Sequence, residues 1–153
     1  MRNQNKPYTY PCITTSWDDG HPLDFRLADM LARYGLKATF YIPRSNQEHE
    51  VMHESDVAAL SRSFEIGGHT LNHLSVPEVT EQQWETEVSS CRNWLEDVTG
   101  SSPVTFCFPK GKYTPATAAA VFRNGFRLAR TTALFSTSPM PPNAICGTTL
   151  QLY

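Results

Sequence analysis

The sequence has no apolar run long enough to cross a bilayer. Its start, MRNQNKPYTYPC, has no apolar stretch of the kind that leads a chain to export, so the default expectation is cytoplasmic. Basic excess is missing too. Thirteen Lys and Arg stand against 15 Asp and Glu, a net charge of -2, which argues against a nucleic-acid partner. None of Cys12, Cys91, Cys107 and Cys146 forms a C-x-x-C pair, which argues against a zinc knuckle. Spaced so widely, they read as buried small side chains, with two disulfides left open if the chain is exported. Internal repeats and low-complexity segments are lacking, and histidine is absent after His73. What is present suffices for a single domain over residues 1–153, with 40% hydrophobic and 18% charged residues.

The order of elements predicts the fold class. Residues 12–17 (CITTSW) read as a strand. After Gly20, Pro22 suits a helix start, and Leu23, Leu27, Met30, Leu31 and Tyr34 recur at helical spacing until Gly35. KATFYI (37–42) is a strand ended by Pro43. Ser55 is expected to cap a short helix carrying Val57 and Leu60, and FEIGG (64–68) to form the next strand. Thr80 and Gln83 make a capping-box pattern, with Trp84, Val88, Cys91, Leu95 and Val98 along one helical face up to Gly100. VTFCF (104–108) reads as a strand, Ala116 to Arg123 as helix and FRLART (126–131) as strand. Pro139, Pro141 and Pro142 mark a loop, and TTLQLY is expected as a last strand. Alternating strands and helices mean parallel strands with crossover helices, an α/β fold. Such folds carry chemistry in the loops at the carboxyl ends of their strands. Asp18, Asp19, His69, His73 and the Pro109–Tyr113 loop all fall at such ends.

His69 and His73 lie in GGHTLNH. Spacing of i and i+4 puts two imidazoles on one side of a helical turn, as in many zinc sites, although this spacing also arises by chance at surfaces. Gly67 and Gly68 let the backbone bend as the strand ends. An aspartate at another strand end would complete two His and a carboxylate, leaving metal positions open for water and substrate. That bears on the adjacent acids of TTSWDDG. One can bind the metal while the other stays free as a base; the plainer reading is a turn with a capping acid. His21, His49 and His53 read as solvated, although His49 and His53, four apart among glutamates, could take metal adventitiously. Trp84 and Trp94 fit a helix face against the core.

Together, TTSWDDG, then HTLNH, then FCFPKGKY closely resemble the polysaccharide deacetylases with a NodB-homology domain, carbohydrate esterase family 4, over residues 8 to 132. The resemblance implies a distorted, incomplete (β/α) barrel, here expected to be truncated at its C-terminus. It also implies that Asp18 is the general base, that Asp19, His69 and His73 hold a divalent metal, usually zinc, and that Thr70 supports the histidine loop. The implied substrate is an N-acetylated carbohydrate such as chitin or peptidoglycan. Trp17, Pro109 and Tyr113 are candidate substrate contacts. Lys110 replaces an aromatic residue of the third motif, and its backbone N–H remains available to an oxyanion. The family's Arg in that motif, which contacts the base, matches Cys107. The Leu-x-His of the last motif, whose His is the general acid, has no counterpart in these residues. Two alternatives follow: an amidase on small non-sugar amides, or a metal-binding carbohydrate-binding relic with little turnover.

Overall fold

The computed structural model describes residues 14–134 and the strand 144–148. Six strands form one parallel sheet: β1 (Thr15–Trp17), β2 (Ala38–Ile42), β3 (Glu65–Gly68), β4 (Thr105–Cys107), β5 (Leu128–Leu134) and β6 (Ala144–Thr148). Each strand pairs with the next in sequence, so the spatial order is the chain order. That succession curls the sheet into the incomplete (β/α) barrel expected. The helices are α1 (Asp24–Arg33), α2 (Glu54–Leu60), α3 (Glu81–Thr99) and α4 (Pro115–Arg123).

Period-two alternation gives the sheet two different faces. Phe40, Ile42 and Ile66 face helices α1 to α3 and join Leu31, Val57, Leu60, Cys91, Trp94 and Leu95 in one apolar cluster. Phe106, Ala129 and Phe126 join Trp84, Val88 and Val121 in a second. The intervening residues include Thr39, Glu65, Thr105 and Arg130. Thr39 and Thr105 donate to the two oxygens of Glu65 at 2.8 and 3.1 Å. The candidate site residues therefore lie at the carboxyl ends of these strands, and the apolar face holds the helices.

Helix ends follow the local sequence, with two corrections. Thr80 and Gln83 form the reciprocal capping box, with Gln83 N donating to Thr80 Oγ1 at 3.2 Å and Thr80 N to Gln83 Oε1 at 2.9 Å. Gly100 closes α3 in the left-handed conformation at φ 71°. Ser55 does not cap α2. His53, with extended backbone, holds that position and gives no side-chain cap, while Ser55 lies inside the helix. The α4 start lies at Pro115, one residue earlier than expected, because Thr114 and Thr117 form a second capping box. The expected Pro loop at 139–142 lies outside the described residues, as does most of the expected last strand. β6 instead covers 144–148. Cys91 and Cys107 are buried thiols without a disulfide, whereas Cys12 lies outside the described residues.

Candidate metal centre and catalytic rim

The adjacent aspartates part company immediately after β1. Asp19 takes a left-handed backbone, φ 74°, and Gly20 follows at φ 64°. A Cβ on Gly20 would lie 2.7 Å from Ile42 Cγ2, so this turn closes tightly only over glycine. The turn swings the Asp19 carboxylate to the end of β3 and leaves Asp18 on the polar face of the sheet.

Asp19 Oδ1 stands 3.2 Å from His69 Nε2 and 3.0 Å from His73 Nε2. His69 is buried, and its Nδ1 donates to the Cys107 carbonyl at 2.7 Å. That bond points Nε2 at the carboxylate. The expected helical turn across 69–73 does not form. Thr70 and His73 both have left-handed backbone, φ 58° and 54°, and these two bends bring the imidazoles together with ring centroids 5.0 Å apart. Thr70 is fully buried and donates to the His69 carbonyl at 2.6 Å. From α3, the buried Glu87 accepts the Asn72 backbone N–H at 2.8 Å and the Asn72 amide at 2.7 Å. One carboxylate thus fixes the turn between the two histidines.

The electrostatics match a cation. Burial alone would raise the Asp19 carboxyl, but the His69 and His73 hydrogen bonds and charges outweigh it and hold the group well below the ordinary range. Burial opposes a charge on His69, yet Cys107 and Asp19 push it up to about 10. Positive charge is favoured where the three side chains converge. Their donor atoms lie within 4.8 Å of one another, a set of two imidazoles and a carboxylate suited to a divalent ion.

Asp18 has another environment. Arg130 Nη2, from β5, donates to Asp18 Oδ1. Cys107 Sγ, from β4, donates to Asp18 Oδ2 at 3.6 Å, and burial pushes that thiol's pKa up. The Arg130 guanidinium lies 5.2 Å from the Tyr41 ring centroid. Tyr41 fits there because its neighbour on β3 is Gly67, where any Cβ would come within 2.5 Å of the ring. Arg130 and Glu87 are the residues that reading the sequence missed. Each left a signal, a charged residue in a stretch predicted to be buried strand or helix face. The arginine that contacts Asp18 comes from β5 rather than from the Cys107 position.

Lys110 sits in a short 3-10 turn over Pro109–Gly111, with left-handed backbone at φ 57°. Its ammonium lies 3.0 Å from Glu48 and 3.6 Å from Glu78, so the side chain links the rim loops. Among the described residues its backbone N–H donates to no partner. Pro109 is buried. Tyr113 is exposed at the rim and stacks on Phe108 with centroids 5.0 Å apart. Trp17 packs against the first apolar cluster, and its indole N–H donates to Thr15 Oγ1 at 3.2 Å.

Residues 5–129 match the polysaccharide deacetylase family. YxkH of Bacillus subtilis, assigned to the polysaccharide deacetylases, is 27% identical over 135 residues, covering 86% of this chain and 48% of YxkH. A peptidoglycan-N-acetylglucosamine deacetylase of Bacillus cereus is 26% identical over 108 residues, 69% of this chain and 38% of that protein. This chain therefore spans half or less of the length of these relatives. Among solved structures, a polysaccharide deacetylase from Bacillus cereus superposes with a TM-score of 0.74 at 18% identity, covering 87% of this chain and 45% of that one. A family 4 acetyl xylan esterase from Clostridium thermocellum, in complex with a cobalt ion, gives 0.62 at 21% identity, covering 79% and 58%. No helix among the described residues is long and apolar enough to cross a membrane.

Proposed function

This chain belongs to the polysaccharide deacetylase family, and from that premise we propose that it is a metal-dependent hydrolase that removes N-acetyl groups from an amino-sugar polymer or oligomer. Asp19, His69 and His73 hold the divalent ion, with zinc the first candidate. Bound there, the ion would supply Lewis acidity toward the acetyl carbonyl and a water of lowered pKa.

The chain's own residues carry the rest. Asp18 is the general base, taking the proton of the attacking water. Arg130 and Cys107 fix one oxygen each, so the carboxylate is oriented before substrate arrives. Lys110 offers its backbone N–H, which has no partner among the described residues, to the oxyanion that develops on the acetyl group. Tyr113, exposed beside that turn, and buried Pro109 beneath it shape the wall on which a sugar ring rests, and Trp17 supports the strand end that carries Asp18. Expulsion of the amine needs a proton at nitrogen, and Asp18, once protonated, is the acid on this wall.

The observation that supports this reading most is the separation of Asp18 and Asp19. One is tied to a cation of the chain, Arg130, and the other is turned to two imidazoles that invite a metal. The test is acetate release from N-acetylglucosamine oligomers and from peptidoglycan by the zinc-loaded chain. Acetate should appear, and Asp18→Asn should abolish it. A folded, zinc-loaded chain that releases none from either substrate would overturn the proposal.

A further inference from the structure

Arg130 is a buried cation with few polar partners. Its Nη2 donates to Asp18 Oδ1, and Asp18 is its one ion-pair partner among the described residues. Its Nε is buried and has no acceptor among those residues. Hydrogen bonds thus fix one end of the guanidinium and leave the rest of the group unheld. The remaining hold comes from an aromatic ring. Arg130 Cζ lies 5.2 Å from the centroid of the Tyr41 ring, whose π face attracts a cation. Tyr41 is buried, so water does not compete for either group at this contact.

The sheet holds that ring in place. Tyr41 on β2 is the register partner of Gly67 on β3. A Cβ on Gly67 would lie 2.5 Å from both Tyr41 Cδ1 and Cε1, so the ring lies against a backbone that only glycine leaves bare. Phe40 and Ile42, the neighbours of Tyr41 on β2, belong to the apolar cluster on the helix side. Alternation therefore turns Tyr41 to the opposite face, where Arg130 meets it. Three strands build the contact: β3 vacates the space, β2 fills it with a ring, and β5 lays its guanidinium against that ring. Burial pushes the Tyr41 phenol up, so the ring stays neutral.

We infer that Tyr41 is a positioning residue for the reaction: its π face holds the Arg130 guanidinium so that Nη2 stays on Asp18 Oδ1. The inference rests on the proposed role of Asp18 as base. Filling space needs only volume, whereas positioning a cation needs the π face. A leucine at 41 supplies apolar bulk without that face, and a phenylalanine keeps it. Cys107 still donates to Asp18 Oδ2 at 3.6 Å when Tyr41 is lost, so one carboxylate oxygen is released and the defect is partial.

The experiment is a proton–nitrogen NMR spectrum of the Arg130 guanidinium in the metal-free chain, for wild type, Tyr41→Phe and Tyr41→Leu. A guanidinium held on Asp18 rotates slowly and shows separate Nη1 and Nη2 signals. Wild type and Tyr41→Phe should show them, and in Tyr41→Leu they should merge. Separate signals in Tyr41→Leu would overturn the inference, whatever the activity. The second readout is acetate release by the zinc-loaded chain. Tyr41→Leu should lower kcat about 3-fold to 30-fold, the range of a cation–π contact out of water, with KM and zinc affinity unchanged. Tyr41→Phe should retain wild-type kcat. Phenylalanines with one, two and three ring fluorines at position 41 keep the shape while draining the π face, so kcat should fall stepwise along the series even if the leucine variant does not fold. A flat series, or equal losses in Tyr41→Phe and Tyr41→Leu, would contradict the inference. A wild-type chain that releases no acetate would sink the proposed function, and the guanidinium signals would then decide the positioning alone.

Discussion

Glu87 gives the sharpest test of how helix α3 sets up the rim. Its carboxylate is buried, no cation pairs with it among the described residues, and it accepts two bonds from Asn72 at 2.8 and 2.7 Å. A buried charge is costly, so deleting one can be neutral when nothing is left unpaired. Here the backbone N–H and side-chain amide of Asn72 would both lose their acceptor. Bonds to a charged acceptor contribute about 1.5–3 kcal/mol each, part of it offset by relief of the buried charge. The net expectation for Glu87→Ala is a loss of about 3 kcal/mol, or about 6–12 °C in Tm for a domain of this size. Glu87→Gln keeps the shape and one acceptor and should lose about half as much. The lesion reaches the metal because Asn72 lies between His69 and His73, whose geometry depends on left-handed backbone at Thr70 and His73. Zinc affinity of the alanine variant should fall about 10-fold to 100-fold. Calorimetric melts with and without zinc, plus competition against a chromophoric chelator, measure both. A Tm within about 2 °C of wild type and an unchanged affinity would refute the clamp.

Two further outcomes follow from the same geometry. Arg130→Met keeps the buried volume but frees Asp18 Oδ1, so deacetylation should fall at least tenfold, about 1.4 kcal/mol in the barrier, with zinc affinity unchanged; a parallel loss of zinc would show that Arg130 acts on the metal side instead. Burial, with the charges of Asp19 and Asp18 nearby, raises the Asp24 carboxyl from 3.8 to about 6, and its Oδ2 is buried without a partner among the described residues. The folded chain thus holds this proton more tightly than the unfolded chain, and metal-free stability should decline as pH rises from about 4 to about 6 and then level. Asp24→Asn should therefore gain about 1 kcal/mol at pH 8, after allowing for the water that reaches the carboxyl, and nothing at pH 4. Equal effects at both pH values, read from chelator-treated samples, would exclude this titration.

Much of this site was legible because its residues sit where strands end. The strand–helix alternation was written in apolar periodicity, so Asp18, Asp19, His69, His73 and the Pro109 turn could be placed on one rim without coordinates. The resemblance to a known family then gave them roles. What stayed hidden depends on which way a side chain faces across strands far apart in sequence. Arg130 and Asp18 are 112 residues apart, and no local pattern ties the middle of FRLART to the end of β1. The Gly67 and Tyr41 contact that makes room for Arg130 is likewise a cross-strand matter. His49 read as a solvated loop residue because nothing in SNQEHEV shows that the loop folds back onto Leu71 and Gly20. The helical turn expected from the spacing of His69 and His73 failed for a local reason. Left-handed backbone at Thr70 and His73 can pair two side chains as well as a helix can, and the sequence between them does not distinguish the two.

The central claim is that adjacent aspartates divide the work, Asp19 holding the metal and Asp18 acting as base. The most direct measurement is zinc affinity of wild type, Asp18→Asn and Asp19→Asn side by side, by competition with a chromophoric chelator on samples shown to melt cooperatively. Asp19→Asn should lose tight binding, since it removes the carboxylate that stands 3.2 and 3.0 Å from the two imidazoles. Asp18→Asn should bind zinc as wild type does, because Asp18 is committed to Arg130 and Cys107. Equal losses in the two variants would contradict the division and the mechanism built on it.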